Sequence, residues 1–223
     1  MLADELDAYF PGSRLLLEVG VGTGIVAGAL AGLGRTVVGV DLSAEMLGRA
    51  QERLGPRVAQ ADAHALPAPA EAVDAAYLVW VLHLVSDPCA VVAECARVLR
   101  RGGRLAAVIA RTRNEQAEDM TVYHEALDVL RSKRSDTPGA VVGWAAAAGL
   151  KTVAERQLKE TYPERPVQMA EALEKRTYSF VWDLDDDTWH KMVQPVIDGL
   201  RALPDPDRPR QLVQYRDVLV FEK

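Results

Sequence analysis

The chain is short of cysteine, of positive charge and of long apolar runs, and each shortage removes a class of function. Cys89 and Cys95 are its two cysteines. Both fall on a helix that Asp87-Pro88 is expected to open, with Asp at the N-cap and Pro in the first helical position. Six helical residues rise by ~9 Å, too far for a disulfide within that helix. With no Cys-x-x-Cys and no His-x-x-x-His pair, no metal site is expected. The formal net charge is −6, which disfavours broad binding to a phosphate backbone, so no nucleic-acid partner is expected. The small Arg131-Ser-Lys133-Arg134 cluster reads as a solvated helix end. No apolar run reaches the ~18 residues a membrane helix needs, so no membrane partner is expected. Asp4, Glu5 and Asp7 stand where a secretory signal would carry basic residues, and a cytoplasmic location is the expectation. Also absent are a Gly-x-Gly-x-x-Gly dinucleotide fingerprint, since Ile25 takes its third position, and a Gly-x-x-x-x-Gly-Lys phosphate loop. There is no internal repeat, low-complexity tract or flexible linker.

What is present begins at Leu15-Leu-Leu-Glu-Val-Gly-Val-Gly-Thr-Gly24. An apolar run meets an acid, and glycines then follow at every second position. This reads as a buried strand entering a loop where backbone passes close to a ligand, because glycine accepts positive φ and carries no Cβ. The residues from Ile25 to Leu33 read as a helix whose N-terminus faces the same ligand. A second strand, Thr36–Asp41, ends in an acid. Strand, glycine loop, helix and acid-tipped strand make the front half of a nucleoside-cofactor site.

The pattern Glu18-x-Gly20-x-Gly22-x-Gly24 resembles motif I of the class I S-adenosylmethionine-dependent methyltransferases, and within them the type 11 group. Val37-Val-Gly-Val-Asp41-Leu-Ser-Ala-Glu-Met46 is similar to motif II, whose acid bonds the ribose hydroxyls. Ala59-Gln-Ala-Asp62-Ala63 is similar to the third motif, which meets adenine. Val73 to His83 resembles the fourth strand, and Glu94 to Gly103 the helix and turn before the fifth, with Arg101 where the family has proline. The resemblance covers residues 14 to 111 in the family's order. It implies cofactor contacts from Glu18, Gly20, Val21, Gly22, Thr23, Gly24, Asp41, Leu42, Met46, Asp62, Ala63, Val79 and Trp80. It also implies an N-terminal helical segment that closes the site. Either Leu2 to Phe10, with Tyr9 as a cofactor contact, supplies this alone, or the natural chain starts earlier.

The fold expected is α/β, a doubly wound Rossmann-like seven-stranded sheet, mostly parallel with an antiparallel last strand, carrying helical cap insertions. It forms one domain over residues 1–223, with caps at about 112–135 and 163–203. Near-continuous apolar runs at Leu15–Glu18, Thr36–Asp41, Val73–Val81 and Arg104–Ala110 suit a sheet covered on both faces. A weaker strand falls at Arg57–Ala61, and further strands at Lys151–Leu158 and Leu212–Phe221. Helices are expected at Ala44–Leu54, Pro88–Leu99, Glu115–Lys133, Thr137–Gly149, Val167–Tyr178 and Thr188–Leu203, the last kinked at Pro195.

The acceptor region carries no motif. Tyr162, Tyr178, Phe180, Trp182 and Trp189 gather in and before the second cap. Tyr178 and Trp182 are candidate substrate contacts, with gluing of the cap as the alternative. His124 shares a face with Tyr123 and Leu127. His83 follows the fourth strand. Together His83, His124 and Tyr123 are the catalytic candidates, should the acceptor need a base. The implied activity is transfer of the sulfonium methyl of S-adenosylmethionine to a small-molecule acceptor, by a monomer or homodimer, with S-adenosylhomocysteine as product. A non-catalytic cofactor-binding or assembly protein of the same fold is the alternative, followed by a nicotinamide-dependent oxidoreductase.

Overall fold

The structure, a computed structural model, describes residues 2–109, 113–131 and 135–223. The basic cluster at 132–134, the end of the fifth expected strand and the last turn of the first cap helix lie outside the described residues. The chain forms two compact units. One is Met1–Ala110, Ser135–Gln157 and Arg216–Lys223; the other is Arg111–Arg134 and Leu158–Tyr215.

The first unit holds the parallel sheet. Strands β1 (Leu15–Val19), β2 (Thr36–Asp41), β3 (Val58–Gln60), β4 (Val73–Val79) and β5 (Leu99–Val108) lie in the order β3-β2-β1-β4-β5. Order therefore reverses between β1 and β4, which opens a ligand crevice at their carboxyl ends. The register pairs Glu18 with Gly39 and with Tyr77. Strand β8 (Arg210–Glu222) follows antiparallel beside β5, pairing Val218 with Val108, and β7 (Lys151–Glu164) pairs with β8. The helices start where their caps dictate. In α3 (Ala44–Leu54) the Ser43 hydroxyl accepts from the Met46 amide. In α4 (Pro88–Val98) and α6 (Pro138–Ala147), Asp87 and Thr137 do the same for Ala90 and Ala140, each followed by proline. These elements, with α1 (Leu2–Tyr9) and α2 (Ile25–Gly32), cover a core that includes Leu17, Val19, Leu78, Val92, Leu105 and Phe221. Cys89 is exposed and Cys95 buried, and neither is in a disulfide.

The second unit packs helices α5 (Glu118–Arg131), α7 (Pro166–Glu174) and α9 (Gln194–Ala202) around Met120, Leu127, Met169, Leu173, Ile197 and Leu200. A short helix α8 (Asp186–Thr188) is capped by Asp185, whose carboxylate accepts from the Thr188 amide at 2.7 Å. Arg210 is buried, donating to Asp119 and to the carbonyls of Pro204, Asp205 and Arg208.

The sheet has eight strands rather than seven. The addition is β6 (Arg113–Gln116), pairing with Leu212–Tyr215. Its sequence is polar and non-alternating, so only pairing with a distant strand makes it extended, and the helix expected from Glu115 starts at Glu118 instead. Strand β7 continues past Leu158 through Pro163. Proline has no amide to donate and is tolerated at a sheet edge. The helix expected from Thr188 to Leu203 is broken. Residues Trp189–Val193 wind as a π-helix before Pro195. A proline ring clashes with the carbonyl four residues back, and widening the preceding turn relieves that clash.

Candidate functional site

Three left-handed glycines shape the turn after β1: Gly20 (φ 75°), Gly22 (φ 52°) and Gly24 (φ 74°). Their missing Cβ atoms serve different ends. A Cβ on Gly20 would run into the Val81 side chain, and one on Gly24 would lie 3.1 Å from the Ala50 backbone. A Cβ on Gly22 would meet nothing within 4 Å. Gly20 and Gly24 are thus needed for packing, whereas Gly22 leaves an open face. The Gly20 and Val21 amides donate to the Val40 carbonyl at 2.8 and 2.9 Å, tying the loop to the end of β2. Asp41 completes the tie. Its Oδ2 accepts from the Gly22 amide at 2.8 Å and its Oδ1 from the Ser43 amide at 2.9 Å. Beside it Leu42 is 70% exposed, an apolar side chain left without packing at the edge where ligands bind.

Glu18 lies beneath this loop, 2% exposed. The Tyr77 hydroxyl donates to its Oε2 at 3.0 Å, and the Tyr77 ring meets Phe10 at 6.0 Å between centroids. Burial pushes the Glu18 carboxyl up to about 8, against the lowering effect of the Tyr77 hydrogen bond. Desolvation outweighs its hydrogen bonds, so the carboxyl holds its proton to higher pH than an ordinary glutamate does. Tyr77 is held above its ordinary range, by burial first and then by Glu18.

After β3, Asp62 organises its own loop. Its Oδ1 accepts from the His64 amide at 2.9 Å and lies 2.6 Å from His64 Nδ1. The Asp87 amide donates to His64 Nε2 at 3.3 Å, so the imidazole carries its proton on Nδ1 and donates to Asp62. These bonds, the His64 backbone first, hold the Asp62 carboxyl below its ordinary range. Ala63 lies between the two. Met46 lies in the first turn of α3, where its amide donates to the Ser43 cap.

Strand β4 ends in the buried Val79, and Trp80 then takes a left-handed φ of 58°. Its amide donates to the Val108 carbonyl at 3.0 Å. Trp80 is 39% exposed, with the Arg216 guanidinium 4.6 Å from its ring centroid. His83, three residues on, has Nδ1 3.6 Å from Asp136 Oδ2, and both side chains are buried. An apolar cavity of about 270 Å³, lined by Leu17, Val38, Val40, Val58, Pro67 and Val73 among others, includes no residue of the glycine loop.

The remaining candidates belong to the second unit. His124 is buried, with Nε2 2.7 Å from Glu164 Oε2 and Nδ1 lacking a hydrogen-bond partner. Tyr123 lies against Gly199, where a Cβ would overlap its ring. Tyr178 stacks on Phe180 at 5.4 Å. Trp182 is half exposed and donates its indole N–H to the Arg176 carbonyl at 2.8 Å. Sequence reasoning missed Tyr77, Asp136, Glu164 and Arg216, each of which finds its partner far along the chain. Among the described residues no three of His, Cys, Asp or Glu group to hold a metal, and no helix is long and apolar enough to cross a membrane.

Residues 17–107 match the methyltransferase domain family Methyltransf_11. A ubiquinone biosynthesis O-methyltransferase of Thiobacillus denitrificans is 41% identical over 97 residues, 40% of this chain and 41% of that protein. The YcgJ protein of Bacillus subtilis superposes with a TM-score of 0.64 at 20% identity, covering 99% of this chain and 97% of that one. The geranyl diphosphate C-methyltransferase of Streptomyces coelicolor A3(2) gives 0.59 at 16% identity, covering 99% and 76%. The chain has the class I S-adenosylmethionine-dependent methyltransferase fold. The match to the type 11 methyltransferase domain family covers residues 17–107. The chain spans 32% to 49% of the first curated relatives it matches.

Proposed function

We propose that the chain transfers a methyl group from S-adenosylmethionine to a small-molecule acceptor. The observation that carries this is the open face of Gly22, next to a carboxylate already fixed in place. A cofactor can approach that backbone closely, where any side chain would stand in its way. The residues present fit the group. Asp41 keeps acceptor capacity beyond its two amide bonds and suits a ribose diol. Leu42 offers an apolar surface to adenine, and Asp62 with the Ala63 backbone offers polar contacts to the base. Gly20, Val21, Thr23 and Gly24 shape the cradle, Met46 closes it from α3, and Val79 and Trp80 flank it from β4. When bound, S-adenosylmethionine supplies an activated methyl group on a positively charged sulfur.

The protein's own task is then positioning, exclusion of water and, for a weakly acidic acceptor, removal of a proton. His124 is the better base of the three candidates. Glu164 fixes its ring through Nε2, which leaves Nδ1 available to a proton. His83 and Tyr123 are held by Asp136 and by packing on Gly199. Tyr178 and Trp182 are proposed to face the acceptor. A relative named as a ubiquinone biosynthesis O-methyltransferase and a structural neighbour named as a geranyl diphosphate C-methyltransferase support a small organic acceptor.

Calorimetry with S-adenosylmethionine and S-adenosylhomocysteine tests the binding half, and labelled methyl turnover with phenols, amines and acids tests the chemistry. Heat with a nicotinamide dinucleotide and none with either sulfur compound would overturn the proposal.

A further inference from the structure

We propose that the apolar cavity under the β3–β4 crossover is a second binding site, which takes the alkyl chain of a medium-length carboxylate and sets its head group on Arg57. The assignment is independent of the methyl-transfer reading.

The cavity exists because a helix is missing. A crossover between parallel strands is usually made by an α-helix, which covers the sheet face it passes over. Between β3 and β4, residues 61–72 cross with no helix. Strand β3 is also the last of the sheet on that side, so no further strand brings a helix of its own. The space left is about 270 Å³. Leu17 and Val38, paired in register, form its floor with Val40, and Pro67 and Ala68 form its roof. The roof is fixed. The Leu66 amide donates to Glu94 at 2.8 Å, and Arg97 donates to the Ala68 and Leu66 carbonyls at 2.8 and 3.1 Å. These bonds hold the loop off the sheet, so the cavity is preformed, as small-molecule sites usually are. The glycine loop, Asp41 and Asp62 take no part in its lining.

The lining specifies the ligand. Every lining side chain but that of Arg57 is aliphatic. Gly39 pairs with Val58, and the Gly39 amide donates to the Arg57 carbonyl, so Arg57 stands beside Val38 at the outer margin of the floor. Residues two apart on a strand share a face, which puts its side chain on the same side as Ala59. Its Nε donates to the Leu54 carbonyl at 3.0 Å, at the end of α3. That bond uses one of five N–H donors, and among the described residues no carboxylate pairs with this guanidinium. A chain lying in the cavity therefore ends beside a cation. A carboxylate accepts two parallel N–H bonds from such a group, and an alkyl tail suits aliphatic walls. A cavity of ~150 Å³ holds one benzene. On that scale the space suits about eight carbons, well short of a membrane lipid's tail.

The test titrates the protein, without cofactor, with octanoate, 1-octanol and octylamine, followed by calorimetry and by valine methyl shifts in NMR. Octanoate should bind about three- to tenfold tighter than 1-octanol, with octylamine weakest. From butanoate through octanoate, affinity should rise by up to about fourfold per CH₂. The shifts should centre on Val38, Val40, Val58 and Val73. Arg57→Gln should bring octanoate to the level of 1-octanol. Ala59→Phe, which fills the cavity from β3, should abolish binding of both. A mere packing void would take octanoate and 1-octanol alike, so parity in the unaltered protein overturns the proposal. Absence of any octanoate binding does the same, as does binding that survives Ala59→Phe or a preference that survives Arg57→Gln. Should either variant fail to fold, the unaltered protein still decides. Its octanoate preference must shrink as salt rises, and shifts centred away from those four valines refute the site.

Discussion

Gly20 and Gly22 are two residues apart, both left-handed, and should respond to substitution in opposite ways. In Gly20→Ala the new methyl group meets Val81. A left-handed backbone costs a non-glycine residue roughly 1–2 kcal/mol. Forcing a well-packed side chain aside adds about 1–3 kcal/mol. The sum, about 2–5 kcal/mol, lowers the melting temperature by roughly 4–20 °C for a chain of this size. Gly22→Ala carries only the backbone cost, because its Cβ would meet nothing, and melts roughly 2–8 °C lower. Affinity runs the other way. Gly22→Val places three carbons in the space proposed for the cofactor, and an overlap of ~1–3 kcal/mol should weaken binding about ten- to a hundredfold. Folded Gly20→Ala should bind S-adenosylhomocysteine nearly as well as the unaltered protein, its added atom being turned toward Val81. Thermal melts and calorimetry on the same samples give both quantities. The reasoning fails if folded Gly22→Val titrates normally, or if Gly20→Ala melts where the unaltered protein does.

Three further outcomes follow from the same geometry. Asp41→Ala should weaken cofactor binding by about 1.5–3 kcal/mol, through lost charge-assisted hydrogen bonds, and should also loosen the loop by releasing the Gly22 and Ser43 amides. Unchanged calorimetric affinity would remove Asp41 from the site. Glu18 titrates near 8 in the folded protein against about 4.5 in the unfolded chain. Between those values the folded state holds the extra proton, so stability should fall as pH rises through that window, by up to about 5 kcal/mol, and level off above it. Urea unfolding of Glu18→Gln should lack this slope, and a flat profile in the unaltered protein would contradict the buried, protonated carboxyl. Arg210→Ala strips one carboxylate and three carbonyls of a buried donor and should cost about 3–5 kcal/mol. Hydrogen exchange near residues 204–209 should rise with it, and protection equal to the unaltered protein's would show the cluster to be dispensable.

The half of the molecule that holds the glycine loop was legible because its signals are local. One strand, one loop and one helix carry the glycine pattern, and the caps at Ser43, Asp87 and Thr137 lie beside the helices they start. The parallel order needed only repeated alternation of strand and helix. The helix from Gln194 to Ala202 was also readable, and its Val196, Ile197 and Leu200 are buried as the helical period requires. The π-turn before Pro195 was not, because a proline announces a distortion without saying which kind. Strand β6 and the far half of β7 exist by virtue of β8, and nothing in their own residues demands extension. The ionisation of Glu18 depends on Tyr77 and on depth, and the Arg216–Trp80 stack joins residues that only the folded sheet brings together.

The antiparallel pairing of β8 with β5 bears on how the protein is made. Val108 leaves the ribosome about a hundred residues before Val218, its partner. At ~5–20 residues per second, the edge of β5 waits on the order of 5–20 s for its cover. Val218, Leu219, Val220 and Phe221, all nearly inaccessible in the finished sheet, arrive only then. During synthesis this apolar margin is where a nascent chain is most open to aggregation or to capture by a chaperone. Substitutions that slow the docking of β8 should therefore reduce soluble yield more than they reduce the stability of protein already folded.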